Sequence, residues 1–224
     1  MSNGDRFVRS DGNSDTVFHD APRDLHDVAP GNRGAIVDTA GRDTHSVAPA
    51  NAGTIVEVAG RDTVTVAPAN QGTLVNVAGR DALTAAPGNS GVIVDVATRD
   101  TVTVVPNNRG LVVDVAGRDA VLHAPGNDGT VSITAGDDIF LFVPRNDGDI
   151  TVYAGDDIYV FAPGNTGSIT GLAGDDVIIL SSAYGASAHG RGAGGGRQDW
   201  DDGRHSGGGR QDSHDGWAQD GWFA

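Results

Sequence analysis

Cysteine is absent from this chain of 224 residues, which excludes a disulfide scaffold, a thiolate metal site and a cysteine nucleophile. Lysine is absent too, so all 15 basic residues are arginine, and of 30 acidic residues only Glu57 is a glutamate. The residues that favour helices are scarce, which argues against a bundle and against an α/β enzyme. No run of apolar residues is long enough to span a bilayer. The N-terminal residues lack the apolar stretch of a secretory signal, so no cleavable leader is expected. Arginine diluted among aspartate gives a net charge of −15, and phosphate would be repelled, so nucleic acid is not an expected partner.

Glycine, asparagine, aspartate, valine, isoleucine and threonine are abundant instead, and these residues build strands and tight turns. They are also periodic. Proline stands at 30, 49, 68, 87, 106, 125, 144 and 163, each 19 residues after the last. Asparagine follows two residues after each proline, and glycine two after each asparagine. Aspartate keeps the same step from Asp43 to Asp176, with alanine three residues before each. So regular a repeat predicts a solenoid, in which each unit buries its faces only against its neighbours. The unit is too short for a helix pair. It fits two strands of the types Ile55–Val58 and Thr63–Val66 with a turn after each.

The predicted fold is therefore all-β, a parallel β-solenoid of about nine coils with two strands per coil. Residues 1–11 read as an N-terminal arm, 12–180 as the repeat domain, and 181–224 as a low-complexity, largely disordered tail. Columns of glycine are expected to permit positive φ at the corners, and columns of asparagine to bond along the stack. In the second strand, the column Val64, Leu83, Val102, Val121, Phe140, Tyr159 and Ile178 is expected to point inward, with Val66, Val104, Phe142, Phe161 and Leu180 beside it. Outward columns would begin as Thr63, Thr65, Thr101 and Thr103 and end as Ile139, Leu141, Ile158, Val160, Val177 and Ile179. That places an apolar patch on the C-terminal outer face, open to cover by the tail's tryptophans (Trp200, Trp217, Trp222) or by self-association. The first strand leaves its parity open, because Ile133 and Val152 share a column with Asp38, Glu57, Asn76, Asp95 and Asp114.

The aspartate column carries the sharpest chemistry. Stacked carboxylates repel, so each turn needs compensation. Arg42, Arg61, Arg80, Arg99 and Arg118 supply it by preceding their aspartates. In the last three coils a second acid replaces the arginine, giving Asp137-Asp138, Asp156-Asp157 and Asp175-Asp176. Carboxylates beside turn carbonyls suit Ca²⁺. The candidate ligands are these six, the glycines before them (Gly136, Gly155 and Gly174), and Asp100 and Asp119 of the arginine-bearing turns. The alternative is that each aspartate caps its own turn.

The segments Ala135-Gly-Asp-Asp-Ile-Phe-Leu-Phe and Ala154-Gly-Asp-Asp-Ile-Tyr-Val-Phe resemble degenerate units of the RTX, or haemolysin-type, calcium-binding repeat family. Ala59-Gly-Arg-Asp-Thr-Val-Thr-Val keeps the same G-x-D-x-U core. The resemblance spans about 28–180 but only half of each coil. It implies a β-roll, Ca²⁺ in the turns, and secretion through a type I channel, with a cytoplasmic location as the alternative. The nonapeptide's two leading glycines are missing in every register, and a glycine such as Gly167 stands where the family's second aspartate would be.

Two further patterns carry less. Thr63-Val-Thr65 and Thr101-Val-Thr103 resemble the T-x-T ladder of ice-binding insect solenoids, but Ala82, Ala120 and Leu122 interrupt it. The seven histidines show no shared column, although Arg204-His205 and Ser213-His214-Asp215 in the tail could catch a metal weakly. No serine, histidine or acid stands outside the periodicity with a catalytic partner, so the chain reads as non-enzymatic. The expected function is calcium binding, with a calcium-independent structural or adhesive solenoid as the alternative and ice binding third.

Overall fold

The computed structural model describes residues 4–181, 187–192 and 198–201, and in it the chain is a two-sheet parallel β-solenoid. Four-residue strands such as Thr63–Val66 form an 11-stranded sheet, and six-residue strands such as Thr54–Ala59 form a 10-stranded sheet. Every strand pairs in parallel with the next of its own sheet, and from Arg6 to Leu180 the register step is 19 residues, as in Thr54↔Thr73 and Thr101↔Ala120. Eleven rungs give the short-strand sheet a length of roughly 48 Å. The rod begins earlier and ends later than the sequence predicts. Arg6–Arg9 already pairs with Leu25–Val28, and Ser187–Gly192 and Gln198–Asp201 add another coil within the segment read as tail. That coil lacks the proline and asparagine columns, which is why periodicity did not reveal it. The tryptophan side chains proposed as a cover lie outside the described residues.

The turn after each short strand explains three of the columns. Asn70 donates to Asn89 Oδ1 at 2.8 Å and Asn89 to Asn108 Oδ1 at 2.8 Å, and the amide ladder runs from Asn13 to Asn165. Each amide from Asn32 onward is fully buried, so the ladder satisfies polar groups that water cannot reach. Positive φ belongs to the residue after proline rather than to the invariant glycine. Gly31, Gly88, Gly126 and Gly164 adopt it, and so do Ala50, Ala69, Asn107 and Arg145. Proline followed by a left-handed residue is the type II turn. The glycine column serves close approach instead: a Cβ on Gly91 would strike the carbonyl oxygen of Gly72 in the coil below.

The interior corrects the predicted faces. Thr63 and Thr65 are buried, Val66 is exposed and Val64 is partly exposed, and the same parity holds in the short strands from Leu25 to Leu180. Ile139, Leu141, Ile158, Val160, Val177 and Ile179 therefore form the C-terminal core. Phe140, Phe142 and Phe161, together with Leu180, are more than 40% exposed on the outside, with Tyr159 and Ile178 beside them. The apolar outer patch exists, but it is made of the opposite residues. The reason lies across the interior. The long strands point Asp38, Glu57, Asn76, Asp95 and Asp114 inward, all at 0% exposure, so N-terminal coils require polar partners from the short strands. Threonine supplies them, and valine goes outside.

Candidate functional sites

The acidic ridge forms as two adjacent columns. The inner one, Asp43 to Asp176, is engaged along the stack: the Asp157 amide donates to Asp138 Oδ1 at 3.1 Å, and the Asp176 amide to Asp157 Oδ1 at 2.9 Å. Asp100 and Asp119 act in the same way, receiving the amides of Asp119 and Asp138. Asp157 Oδ2 also accepts the Tyr159 hydroxyl at 2.9 Å. Arginines lie between successive aspartates, as Arg80 does with Nε 3.9 Å from Asp62 Oδ1 and Nη2 3.9 Å from Asp81 Oδ2. These half-exposed pairs contribute at most about 1 kcal/mol each. The inner column is thus a capping ladder.

The outer column is different in the last three coils. Asp137, Asp156 and Asp175 stand one above another, with Asp156 and Asp175 exposed. Their amides and carbonyls continue the coil-to-coil bonding, Asp156 to Asp137 and Asp175 to Asp156. Asp156 is held above the ordinary carboxylate range, first by loss of water and then by Asp137 and Asp175 on either side. Gly136, Gly155 and Gly174 lie at close approaches between coils. A Cβ on Gly155 would collide with the Gly136 carbonyl oxygen, and one on Gly174 with that of Gly155. These glycines pack coil on coil, and the carbonyls of Gly136 and Gly155 face the next coil.

A second acidic column is buried inside the rod, and no site prediction included it. Residues eight apart face each other across the interior. Thr65 Oγ1 lies 2.8 Å from Glu57 Oε1, Asn76 Nδ2 donates to Thr84 Oγ1 at 2.8 Å, and Thr103 Oγ1 donates to Asp95 Oδ2 at 3.0 Å. Asp114 faces Leu122 and leaves both carboxylate oxygens without a partner. Burial pushes Glu57 up to about 7 and raises Asp95 and Asp114, with Asp95 adding to the effect on Asp114. Burial, followed by the neighbouring Asp27, pushes Asp38 up to about 7. The signal was in the sequence as matched pairs. Asp38–Ser46, Glu57–Thr65, Asn76–Thr84 and Asp95–Thr103 are polar on both sides, whereas Ile133–Leu141 and Val152–Val160 are apolar on both.

The outer face of the short-strand sheet is mainly apolar, with histidines at 26, 45 and 123 and Arg9 at its N-terminal end. One column runs Phe7, His26, His45, Val64, Leu83, Val102, Val121, Phe140, Tyr159 and Ile178, and its rings stack. Phe7 lies 4.6 Å from His26, His26 4.8 Å from His45, and Phe140 5.1 Å from Tyr159. His26 and His45 thus share a column after all. The second column runs Arg9, Val28, Val47, Val66, Ala85, Val104, His123, Phe142, Phe161 and Leu180, with Phe142 stacked 5.4 Å from Phe161. A shallow groove lies between the two columns at Phe140, Tyr159, Phe142 and Phe161. Thr63, Thr65, Thr101 and Thr103 are inside and offer no surface ladder to ice. Among the described residues no helix is long and apolar enough to cross a membrane. Comparison of the chain with protein-family models, with curated proteins and with solved structures finds no match.

Proposed function

We propose that this chain is a non-enzymatic structural solenoid that pairs with a second copy of itself through the outer face of its short-strand sheet. The exposed apolar columns on that face carry the reading: Val28, Val47, Val66, Leu83, Val121, Phe140, Phe142, Phe161 and Leu180 are each 38–45% exposed on one side of one sheet. An apolar strip of this length is unusual on a free surface. The long-strand sheet also exposes Val58, Val77, Val115, Tyr153 and Leu172, but the stacked rings lie on the short-strand face. The face also carries no acid between Arg6 and Leu180 in a chain of net charge −15, so like-charged copies meet there with least repulsion. Stacked rings cover one another's faces and present their edges, which favours a flat protein surface over a ligand that stacks on an exposed ring. A two-fold axis would set equal columns side by side. Sedimentation velocity over a concentration series tests this. The wild-type chain should show a monomer–dimer equilibrium, and Phe142→Ser with Phe161→Ser should weaken it at unchanged strand content. A strictly monomeric wild type would refute the reading.

A second reading is supported by the uncompensated outer column at Asp137, Asp156 and Asp175. Ca²⁺ would relieve the mutual repulsion of these carboxylates, and the RTX resemblance points to the same coils. Exposed carboxylates with few carbonyl ligands suit the weak, roughly millimolar end of calcium affinities, which belongs to extracellular modules and fits a secreted chain. Calorimetry with Asp137→Asn, Asp156→Asn and Asp175→Asn combined should abolish calcium heat, while Asp100→Asn should leave it intact. Equal loss in both variants would move the site to the inner column.

A further inference from the structure

At the N-terminal end of the rod three metal-ligating side chains converge inside the solenoid. His19 lies on Thr16–Ala21, the first strand of its sheet, and Asp38 stands beside it in the next rung. Asp27 faces them from the opposite sheet. His19 Nδ1 is 2.8 Å from Asp38 Oδ1 and 3.8 Å from Asp27 Oδ2, and one ligand atom from each residue falls within 4.8 Å of the others. Asp27 and Asp38 are 2% and 0% exposed, and His19 is 8% exposed on the terminal rung. Asp27 Oδ1 is fully buried and has no hydrogen-bond partner.

We propose that His19, Asp27 and Asp38 form an internal binding site for a divalent transition ion of the Zn²⁺ class, filled through the N-terminal end of the solenoid. A tetrahedral ion with bonds of about 2.0–2.1 Å separates its ligands by roughly 3.3 Å. The two distances at Nδ1 bracket that value, so a small outward shift of His19 would admit the ion. One imidazole and two carboxylates select a borderline ion over Ca²⁺, which prefers oxygen alone. An ion held by Asp27 Oδ2 would also offset the charge of a buried carboxylate whose other oxygen, Oδ1, has no hydrogen-bond partner. Burial favours neutral His19, the form that ligates, and penalises the carboxylate charges that a cation would offset. The nearby Arg6 guanidinium is directed elsewhere, with Nη1 donating to the Asp20 carbonyl oxygen at 3.1 Å. Ser46 Oγ, 3.4 Å from Asp38 Oδ2, supports the second carboxylate. The site is independent of how the outer face pairs.

The test is Zn²⁺ calorimetry on the full chain, with strand content checked by circular dichroism in each variant. His19→Ala and Asp27→Asn should each weaken the tightest site by at least roughly 10–100-fold, the loss that removal of even an outer-shell partner causes. A combined His26→Ala, His45→Ala and His123→Ala variant should leave it unchanged and so exclude the outer-face histidines. Should His19→Ala fail to fold, Asp27→Asn decides alone, because it keeps the side chain's size. Co²⁺ bound to the wild type should give a visible absorption band that Asp27→Asn removes. Absence of a tight site in the wild type, or affinity unchanged in Asp27→Asn, would overturn the proposal and leave the cluster a hydrogen-bonded plug.

Discussion

Thr65 and Glu57, eight residues apart on opposite sheets, meet inside the solenoid with Thr65 Oγ1 2.8 Å from Glu57 Oε1. Such contacts line the interior of the N-terminal half with polar groups, and the burial of its carboxylates gives the rod an unusual pH dependence. Glu57 rises from 4.5 to about 7 because it is buried, against the opposing hydroxyls of Thr65, Thr44 and Ser46 and with Asp38 adding to the rise. The folded chain therefore holds a proton that the unfolded chain releases, so stability falls as pH rises from 4.5 to about 7. Glu57→Gln should remove its share of that fall, leaving the shares of Asp38, Asp95 and Asp114, and stabilise the chain above neutrality by roughly 3 kcal/mol. Urea melts at several pH values check it.

Asp114 marks the border between polar and apolar interior, and both of its oxygens lack partners. Asp114→Val continues the apolar column that begins at Ile133. It should raise the urea midpoint by an amount equivalent to roughly 1–3 kcal/mol, the cost of a buried unsatisfied group. A lower midpoint would mean that the carboxylate holds a partner in solution.

The asparagine and glycine columns fail differently. Asn89→Ala removes the bonds with Asn70 and Asn108 and should cost roughly 1–3 kcal/mol. Gly91→Ala drives a Cβ into the Gly72 carbonyl and should cost more, since two backbones must separate. Denaturant melts of the two variants give the order.

Period, strand pairing, the asparagine ladder and the aspartate turns were legible because each depends on residue type at a fixed step. Inward and outward faces were not. A strand as short as Thr63–Val66 offers only two positions per face, and valine against threonine is a weak preference that the opposite sheet overrides. Reading Glu57 together with Thr65 eight residues on would have fixed the parity. The outer acidic ridge was legible at Asp137, Asp156 and Asp175, but the carbonyl role of Gly136 was not, since only coordinates show what lies on it. His19 and Asp38 share the column of Glu57, and Asp27 stands eight residues after His19, so their convergence was legible only once the inward parity of that column was known.

The assignment of faces underlies the polar interior and the pairing surface alike, and native-state thiol labelling tests it most directly. The chain has no cysteine, so a single introduced thiol reports alone. In chain diluted until it is monomeric, Phe140→Cys and Phe161→Cys should react with a thiol reagent far faster than Ile139→Cys and Val160→Cys, which should be protected until the rod unfolds. Rapid labelling at 139 and 160 with protection at 140 and 161 would contradict the assignment.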